Sequence, residues 1–540
     1  MNKFKRFILL SMFVLLVTTL FACGTKNSND TTSEITTLKP TRTYPEVELT
    51  DDLYRNYYEI FVYSFADTDG DGIGDLNGVT QKLDYIKDLG FNGIWLMPIN
   101  VGTSYHKYDV ENYYDIDPQF GTLDDFKNLL KEAHARGINI LMDLVVNHSS
   151  SRCSWFKDAV AYIKENGEVG GEYGDYYNFS SSQQTGYHNI YGTSFYYEGR
   201  FQSGMPDLNL DSENVREEIK NIMKFWLDMG VDGFRLDACT SFYTNNDDLC
   251  IDFLDWLNTE AKKIKSDCYL VGEVWYSSNV QVNKYYNSGC DSFFTYPIAT
   301  GEGSIADCLK ESKSNNGQLF NKMLTNLRNT YSKGILAPFI SNHDNERVAS
   351  FLSRSKINKI KMAQGLLCLM NGAMFVYYGE EVGMSSGGSD PSRRIAIKWD
   401  TDGNLVCTKN PDDVRILETY YPYQTVDEQM ADYNSIWNYY KAALYMRNSN
   451  PEIARGVTNV HGEYIDQSPY VSVFDRVYND STITIFVNLN FEETQTIVLN
   501  DAQIRNGMSF SLVTDFDLEV TFDSETKTLT LPPYSIAIFK

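Results

Sequence analysis

From about residue 52 to residue 448, short apolar runs alternate with amphipathic stretches. The apolar runs are EIFVYSF (from Glu59), GIWLMPI (from Gly93), INILMDLVVNH (from Ile138), GFRLDA (from Gly233), CYLVGEVW (from Cys268), DSFFTYP (from Asp291), LAPFISNHD (from Leu336) and AMFVYYGEE (from Ala373). Short, and rich in β-branched and aromatic residues, they predict buried strands. Between them, TLDDFKNLLKEAHARG places Phe126, Leu129, Leu130 and Ala133 on one helical face and stops at Gly137. SENVREEIKNIMKFWLDMG, opening at Ser212, has the same character. Eight buried strands alternating with helices predict an α/β chain built on a parallel (β/α)8 TIM barrel, residues 49–148 and 211–450.

Two regions break the alternation. From Ser149 to Leu210 there is no clear helical repeat but much Gly, Ser and Tyr. Connections this long carry function or form a subdomain, so 149–210 is expected to be an inserted domain after the third strand. Beyond about residue 450, YVSVFDRV, STITIFVNLN, QTIVL, TLTL and YSIAIFK alternate apolar and polar positions between turn residues. They predict a C-terminal antiparallel β-sandwich domain over 451–540.

The N-terminus carries an address. MNKFKRF is basic and ILLSMFVLLVTTL is apolar, as in a signal peptide over 1–22. The segment ends in LFAC, which resembles a bacterial lipobox and makes Cys23 the expected lipidation site. The alternative is a transmembrane helix followed by an ordinary cysteine, but the run is short for a bilayer span. Residues 23–48, rich in Thr and Ser without apolar periodicity, read as a flexible tether. The body is therefore expected outside the cytoplasm, anchored at the cell surface by an N-terminal lipid, and is read as a monomer.

The formal charge of −25 opposes nucleic-acid binding. Aromatic content is 14%, led by 38 Tyr, more than a core alone needs and suited to stacking on sugar rings. No CxxC pair occurs, so zinc and redox motifs are unsupported. The stretch DTDGDGIGD, Asp67 to Asp75, spaces acidic side chains like the first nine positions of an EF-hand loop. Gly78 stands where the bidentate Glu would be, and a strand rather than a helix leads in. A cation loop in another fold is the reading.

In a barrel of this kind the working residues gather at the C-terminal ends of the strands. There the chain places Asn147 and His148, Arg235 and Asp237, Glu273, and His343 and Asp344. Crowded carboxylates cost free energy and drive one another's pKa values apart, giving one protonated acid and one ionised nucleophile. Glycosidic bond cleavage requires that division.

The chain resembles the α-amylase family of glycoside hydrolases from about Asp52 to Lys540. The resemblance rests on DLVVNH (Asp143 to His148), MPDLN (Met205 to Asn209), GFRLDA (Gly233 to Ala238), GEVW (Gly272 to Trp275) and FISNHD (Phe339 to Asp344), all in the family's order. It implies Asp237 as nucleophile, Glu273 as general acid and then base, and Asp344 as a transition-state stabiliser, with net retention. Arg235 would keep Asp237 ionised, His148 and His343 would bond the sugar, and Tyr108 would stack under it. DPSRRIAIKWD resembles a substrate-side loop near the eighth strand, from which either Arg393 or Arg394 would reach the site. The resemblance also implies a structural Ca2+ held by Asp67, Asp69, Asp71, the carbonyl of Ile73, and Asp75.

Two departures bear on specificity. Where many members carry Lys-His after the nucleophile, this chain has Thr240 and Ser241. A second calcium site around Asn147 and Asp207 is thereby put in doubt. Where exo-acting relatives carry Asp before the stacking tyrosine, this chain has Tyr105, which suits an open cleft. MPDLN looks intermediate between neopullulanase-like and oligo-1,6-glucosidase-like patterns. The expected activity is endo-hydrolysis of α-1,4 bonds in starch and maltooligosaccharides. The alternatives are neopullulanase, cyclomaltodextrinase or oligo-1,6-glucosidase specificity, or a non-catalytic surface glycan-binding protein.

Overall fold

A computed structural model describes residues 42–540. The signal segment, Cys23 and the tether up to residue 41 lie outside the described residues. Among those described, no helix is long and apolar enough to cross a membrane.

The barrel strands are β1 Asn56–Ile60, β2 Gly93–Leu96, β3 Asn139–Leu144, β4 Gly233–Leu236, β5 Tyr269–Gly272, β6 Ser292–Phe294, β7 Ile335–Ala337 and β8 Met374–Tyr377. All are parallel and neighbours in chain order, with β8 also beside β1. The ring closes where Ala373 N donates to Leu336 O (2.8 Å) and Phe375 N to Pro338 O (2.9 Å). The expected barrel is thus the fold.

Its helices form as the pattern dictates. Leu123–His134 buries Phe126, Leu129, Leu130 and Ala133, and opens on a capping box between Thr122 and Asp125. Glu213–Met229 is capped by Ser212 and ends at Gly230 in the left-handed conformation, φ 116°.

Period two along each strand sorts side chains between the barrel interior and its outer, helix-covered face. Tyr57, Leu141, Tyr269, Val271, Phe294 and Phe375 form an aromatic-rich plug inside. Tyr57 stacks on both Tyr269 (5.4 Å) and Phe375 (4.7 Å). A Cβ at Gly93 would stand 2.4 Å from the Tyr57 ring, so β2 must begin with glycine. Two residues further along the same inward rows stand Glu59, Asp143 and Glu273. The interior therefore changes from apolar to ionic toward the C-terminal ends of the strands.

Two expectations need correction. The run at Glu59–Phe65 is not one strand: β1 starts earlier, at Asn56, and Val62–Ser64 is a 3-10 turn. Its apolar character persists past the barrel because Phe65 is packed edge-on by Tyr378 and Trp399. The inserted segment also contains a helix, Ser154–Asn166. Only Phe156, Ala159 and Ile163 of it are buried, too narrow a stripe to stand out in a Tyr- and Gly-rich sequence.

The inserted segment otherwise forms a small antiparallel sheet of Phe179–Ser180, Tyr187–Asn189 and Tyr196–Glu198. The C-terminal region forms a five-stranded antiparallel sheet from Val457–Val460, Val471–Tyr478, Ser481–Asn488, Met508–Val513 and Ser535–Phe539. A second sheet holds Gln495–Val498, Thr521–Asp523 and Thr528–Leu531. At the other end of the barrel from the ionic layer, residues 43–51 cross beneath the strand starts and roof a cavity of about 1110 Å³. Tyr44 stacks there on Tyr445 (4.5 Å), and Arg55 donates to Asn92 O and Gly137 O.

Candidate active site

The parallel register sets Asp143 of β3 opposite Arg235 of β4. Arg235 is fully buried, and one guanidinium serves three carboxyls: Asp143 (2.8 Å), Asp237 (2.6 Å) and Glu273 (2.9 Å). Its plane lies over Trp95, 5.2 Å to the ring centroid. Trp95 Nε1 and the Tyr108 hydroxyl also donate to Asp143, at 3.3 and 3.2 Å. Glu273 accepts from Ala238 N (2.9 Å) and Tyr296 OH (3.2 Å).

A second cation centre lies alongside. His343 is fully buried, with Nδ1 on Glu59 (2.6 Å) and Nε2 on both the Tyr108 hydroxyl (2.8 Å) and Asp344 (3.1 Å). Arg394 Nη2 holds the other oxygen of Asp344 at 2.8 Å. That settles the choice left open by the sequence. Arg393 turns instead to the backbone carbonyls of Asp344 and Gly388. Arg394 also pairs with Asp390 (2.9 Å), and the Tyr105 hydroxyl is bonded to both Asp390 and Arg394.

The charge balance explains the protonation pattern. Five carboxyls (Glu59, Asp143, Asp237, Glu273, Asp344) face two guanidiniums and one imidazole. Burial favours relief of the surplus negative charge by proton uptake. Burial pushes Asp143 up to about 7, with Arg235 opposing and Asp237 adding to the rise. Glu273 is likewise raised, first by burial and then by Asp237 and Asp344, against Arg235. Asp344 goes the other way: its burial is outweighed by His343 and Arg394, which hold it well below the usual carboxylate range. For His343 burial is outweighed by Asp344 and Glu59, and the imidazolium persists up to about 9. Neighbouring carboxyls are thus divided into a proton holder and an ionised group.

His148 is buried, its Nε2 on the carbonyl of Tyr108 (3.2 Å) and its Nδ1 beside Asn147 Nδ2 (3.3 Å). Both histidines expected to bond the sugar have their ring nitrogens engaged within the protein. Sequence reasoning passed over Glu59, Asp143, Trp95 and Tyr296. The available signal was an acidic residue inside a run that must be buried on both faces, which is costly without a partner. Two half-exposed aromatics flank the site: Trp275, stacked on Tyr296 (4.8 Å), and Phe201, edge-on to His148 (5.2 Å).

The acidic loop follows β1. Carboxylate oxygens of Asp67, Asp69 and Asp71 lie within 4.8 Å of one another. Backbone N–H groups of Gly70 and Gly72 fix Asp67, and Ile73 N fixes Asp71. Asp75 caps the helix Leu76–Gln81 through Gly78 N and accepts from Thr68. The donor set of three convergent carboxylates fits a hard divalent cation. The loop is stitched to a later one by Asp67 N to Leu405 O (3.0 Å) and Lys409 N to Gly72 O (2.9 Å). The second position, Asn147 and Asp207, is spanned by an Asn147 Nδ2–Asp207 Oδ1 contact of 3.3 Å, and burial raises Asp207 to about 7.

Residues 59–456 match the family model for the alpha-amylase catalytic domain. Alpha-amylase 3 of Dictyoglomus thermophilum is 37% identical over 459 residues, 81% of this chain and 85% of that protein. Oligo-1,6-glucosidase of Parageobacillus thermoglucosidasius is 27% identical, covering 89% of this chain and 97% of its own length. Among solved structures, Eubacterium rectale Amy13B superposes with a TM-score of 0.85 at 39% identity, over 91% of this chain and 96% of that one.

Proposed function

Because the chain belongs to the α-amylase family of glycoside hydrolases, we propose that it cleaves α-1,4-glucosidic bonds within starch chains with retention of configuration. The carrying observation is that Asp237 and Glu273 sit on two nitrogens of one Arg235 guanidinium, at 2.6 and 2.9 Å. That supports the short carboxyl separation of retention, about 5–5.5 Å, over the gap of about 6.5–9.5 Å that makes room for water.

In this reading Asp237 attacks the anomeric carbon while the glycosidic C–O bond breaks and its electron pair stays with the leaving oxygen. Glu273, whose pKa is raised by burial and then by its acidic neighbours against Arg235, gives that oxygen its proton. A glycosyl ester on Asp237 results. Water then gives a proton to Glu273 and attacks the same carbon, which releases Asp237. Asp344, ionised against Arg394 and His343, stabilises the positive charge that develops on the sugar. Asp143, Trp95 and Tyr108 hold the Arg235 pivot.

Soluble starch, pullulan, a cyclodextrin and isomaltose separate the specificities. Starch should lose its iodine colour early while mixed oligosaccharides accumulate. Glucose from isomaltose with starch untouched would overturn the reading. Oligo-1,6-glucosidase specificity is the second reading, and the similarity to an oligo-1,6-glucosidase over 89% of this chain favours it.

Asp67, Asp69 and Asp71, with the carbonyl of Ile73 and Asp75, would hold a Ca2+ whose work is to order the loop after β1 and, through Leu405 and Gly72, the loop following β8. Chelation should lower the melting temperature by about 3–6 °C, and added Ca2+ should restore it. An unchanged transition in excess chelator would remove the site.

A further inference from the structure

The loop after β4 is held in a conformation it would not keep by itself. Ala238, next to Asp237, has φ 52° and ψ 41°, a left-handed backbone on a residue with a Cβ. Such a conformation is unfavourable for a residue with a Cβ and persists only when its surroundings impose it. What it achieves is to aim the Ala238 N–H at Glu273 Oε2, at 2.9 Å. The residues that follow form a single 3-10 turn, Cys239–Ser241, with Ser241 N on Ala238 O (2.7 Å). One turn is a weak clamp, and its trailing carbonyls have no helical partner.

The partner comes from the inserted segment. Arg200, just beyond the strand Tyr196–Glu198, reaches across and donates from Nη1 to Ser241 O (3.2 Å) and Thr244 Oγ1 (3.3 Å). A cation at the carbonyl end of a turn is favoured by the dipole as well as by the hydrogen bond. The arginine is itself anchored at its own backbone: Arg200 N donates to Asp207 Oδ2 (3.1 Å), and Asp207 is bridged to His148 and bonded by Asn147 at the end of β3. A continuous set of contacts therefore runs from β3, through the inserted segment, to the turn that positions Ala238.

We propose that Arg200 is a positioning residue for the proton donor: it locks the turn after β4 so that the Ala238 N–H stays on Glu273. The inference rests on the assignment of Glu273 as the acid. The other groups facing Glu273 are Arg235 and Tyr296, which touch it, Cys239, whose N–H donates to the Glu273 carbonyl (3.0 Å), and Asp237, Asp344 and His343 nearby. None of them is in contact with Arg200. An N–H donated to a carboxylate favours the ionised form, so losing it raises the pKa of the acid.

Arg200→Ala should therefore move the alkaline limb of the kcat/KM profile upward by about half a pH unit and lower kcat about tenfold. KM for starch should change less than twofold. Arg200→Lys, which keeps a cation within reach of the Ser241 carbonyl, should recover most of both effects. If the alanine variant does not fold, Arg200→Gln, with one amide donor, should give a smaller shift in the same direction. A wild-type limb and kcat in these variants, with or without a lower melting temperature, would overturn the proposal. Glu273→Gln distinguishes the two levels. If it retains turnover the acid is wrongly assigned; if it is inactive while Arg200→Ala keeps the wild-type profile, only the positioning role fails.

Discussion

Asp237→Asn reduces turnover of starch by on the order of 10^4-fold, about 5 kcal/mol of transition-state stabilisation, and leaves the protein folded. The amide is isosteric with the carboxyl but is a poor nucleophile, so the ester to the sugar does not form. The fold survives because Asp143 stays on Arg235 and, with the charge of Asp237 gone, ionises more readily, so the buried guanidinium keeps a counter-charge. Removing one negative charge also relieves a cluster in which acidic groups outnumber basic ones. The checks are initial rates on soluble starch and a melting curve. Near-normal turnover would exclude Asp237 as nucleophile, whereas loss of the folded transition would show that its charge is needed for the core. Mass spectrometry adds a positive test: a slow-reacting activated fluoroglycoside should label a peptide containing Asp237 in the parent enzyme and nothing in the variant.

Glu273→Gln lowers starch turnover by about 10^3-fold, with a signature no structural lesion would produce. A glucan leaving group needs a proton as its bond to carbon breaks, and the glutamine amide cannot supply it. An aryl glycoside with a strongly acidic phenol leaves unaided, so its first step should be nearly untouched. The second step then stalls, since water has lost its base, and a burst of phenol equal to the enzyme concentration should precede slow turnover. A small anionic nucleophile such as azide, which needs no base, should restore the steady state. Equal losses on starch and on the activated substrate would count against Glu273 as acid and base.

How far the sequence led can be judged from particular residues. The barrel was legible because both of its determinants are local: strands buried on two faces read as continuous apolar runs, and helices such as Leu123–His134 carry a full apolar stripe. Asp237, Glu273 and Asp344 were legible because they stand at or just past strand ends, where this fold gathers its chemistry. What stayed hidden depends on partners distant in the chain. Glu59 gains meaning only when β1 meets the loop after β7 and its carboxyl finds His343, 284 positions away. Arg393 and Arg394 are adjacent in sequence, and only the turn of the short helix Asp390–Arg393 decides which guanidinium meets Asp344. Asp75, a candidate ligand by spacing, also caps the helix Leu76–Gln81, a second role that spacing alone does not show. The helix Ser154–Asn166 escaped because it buries one narrow edge.

The strap at residues 43–51 has an effect unrelated to stability. It meets the barrel at the strand starts, among Asn92, Gly137, Asn139 and Asp232, while Asp237, Glu273 and Asp344 stand at or beyond the opposite strand ends. Any force or leash applied through the N-terminal lead thus acts on the far side of the body from the cleft. Were the N-terminus anchored to a surface, the attachment point would neither shade the mouth nor compete with the substrate for space. If the 19 residues from 23 to 41, ahead of the strap, serve as the leash, their full extension is about 65 Å. That length would be slack enough for the cleft to follow a bound glucan without the mooring having to move.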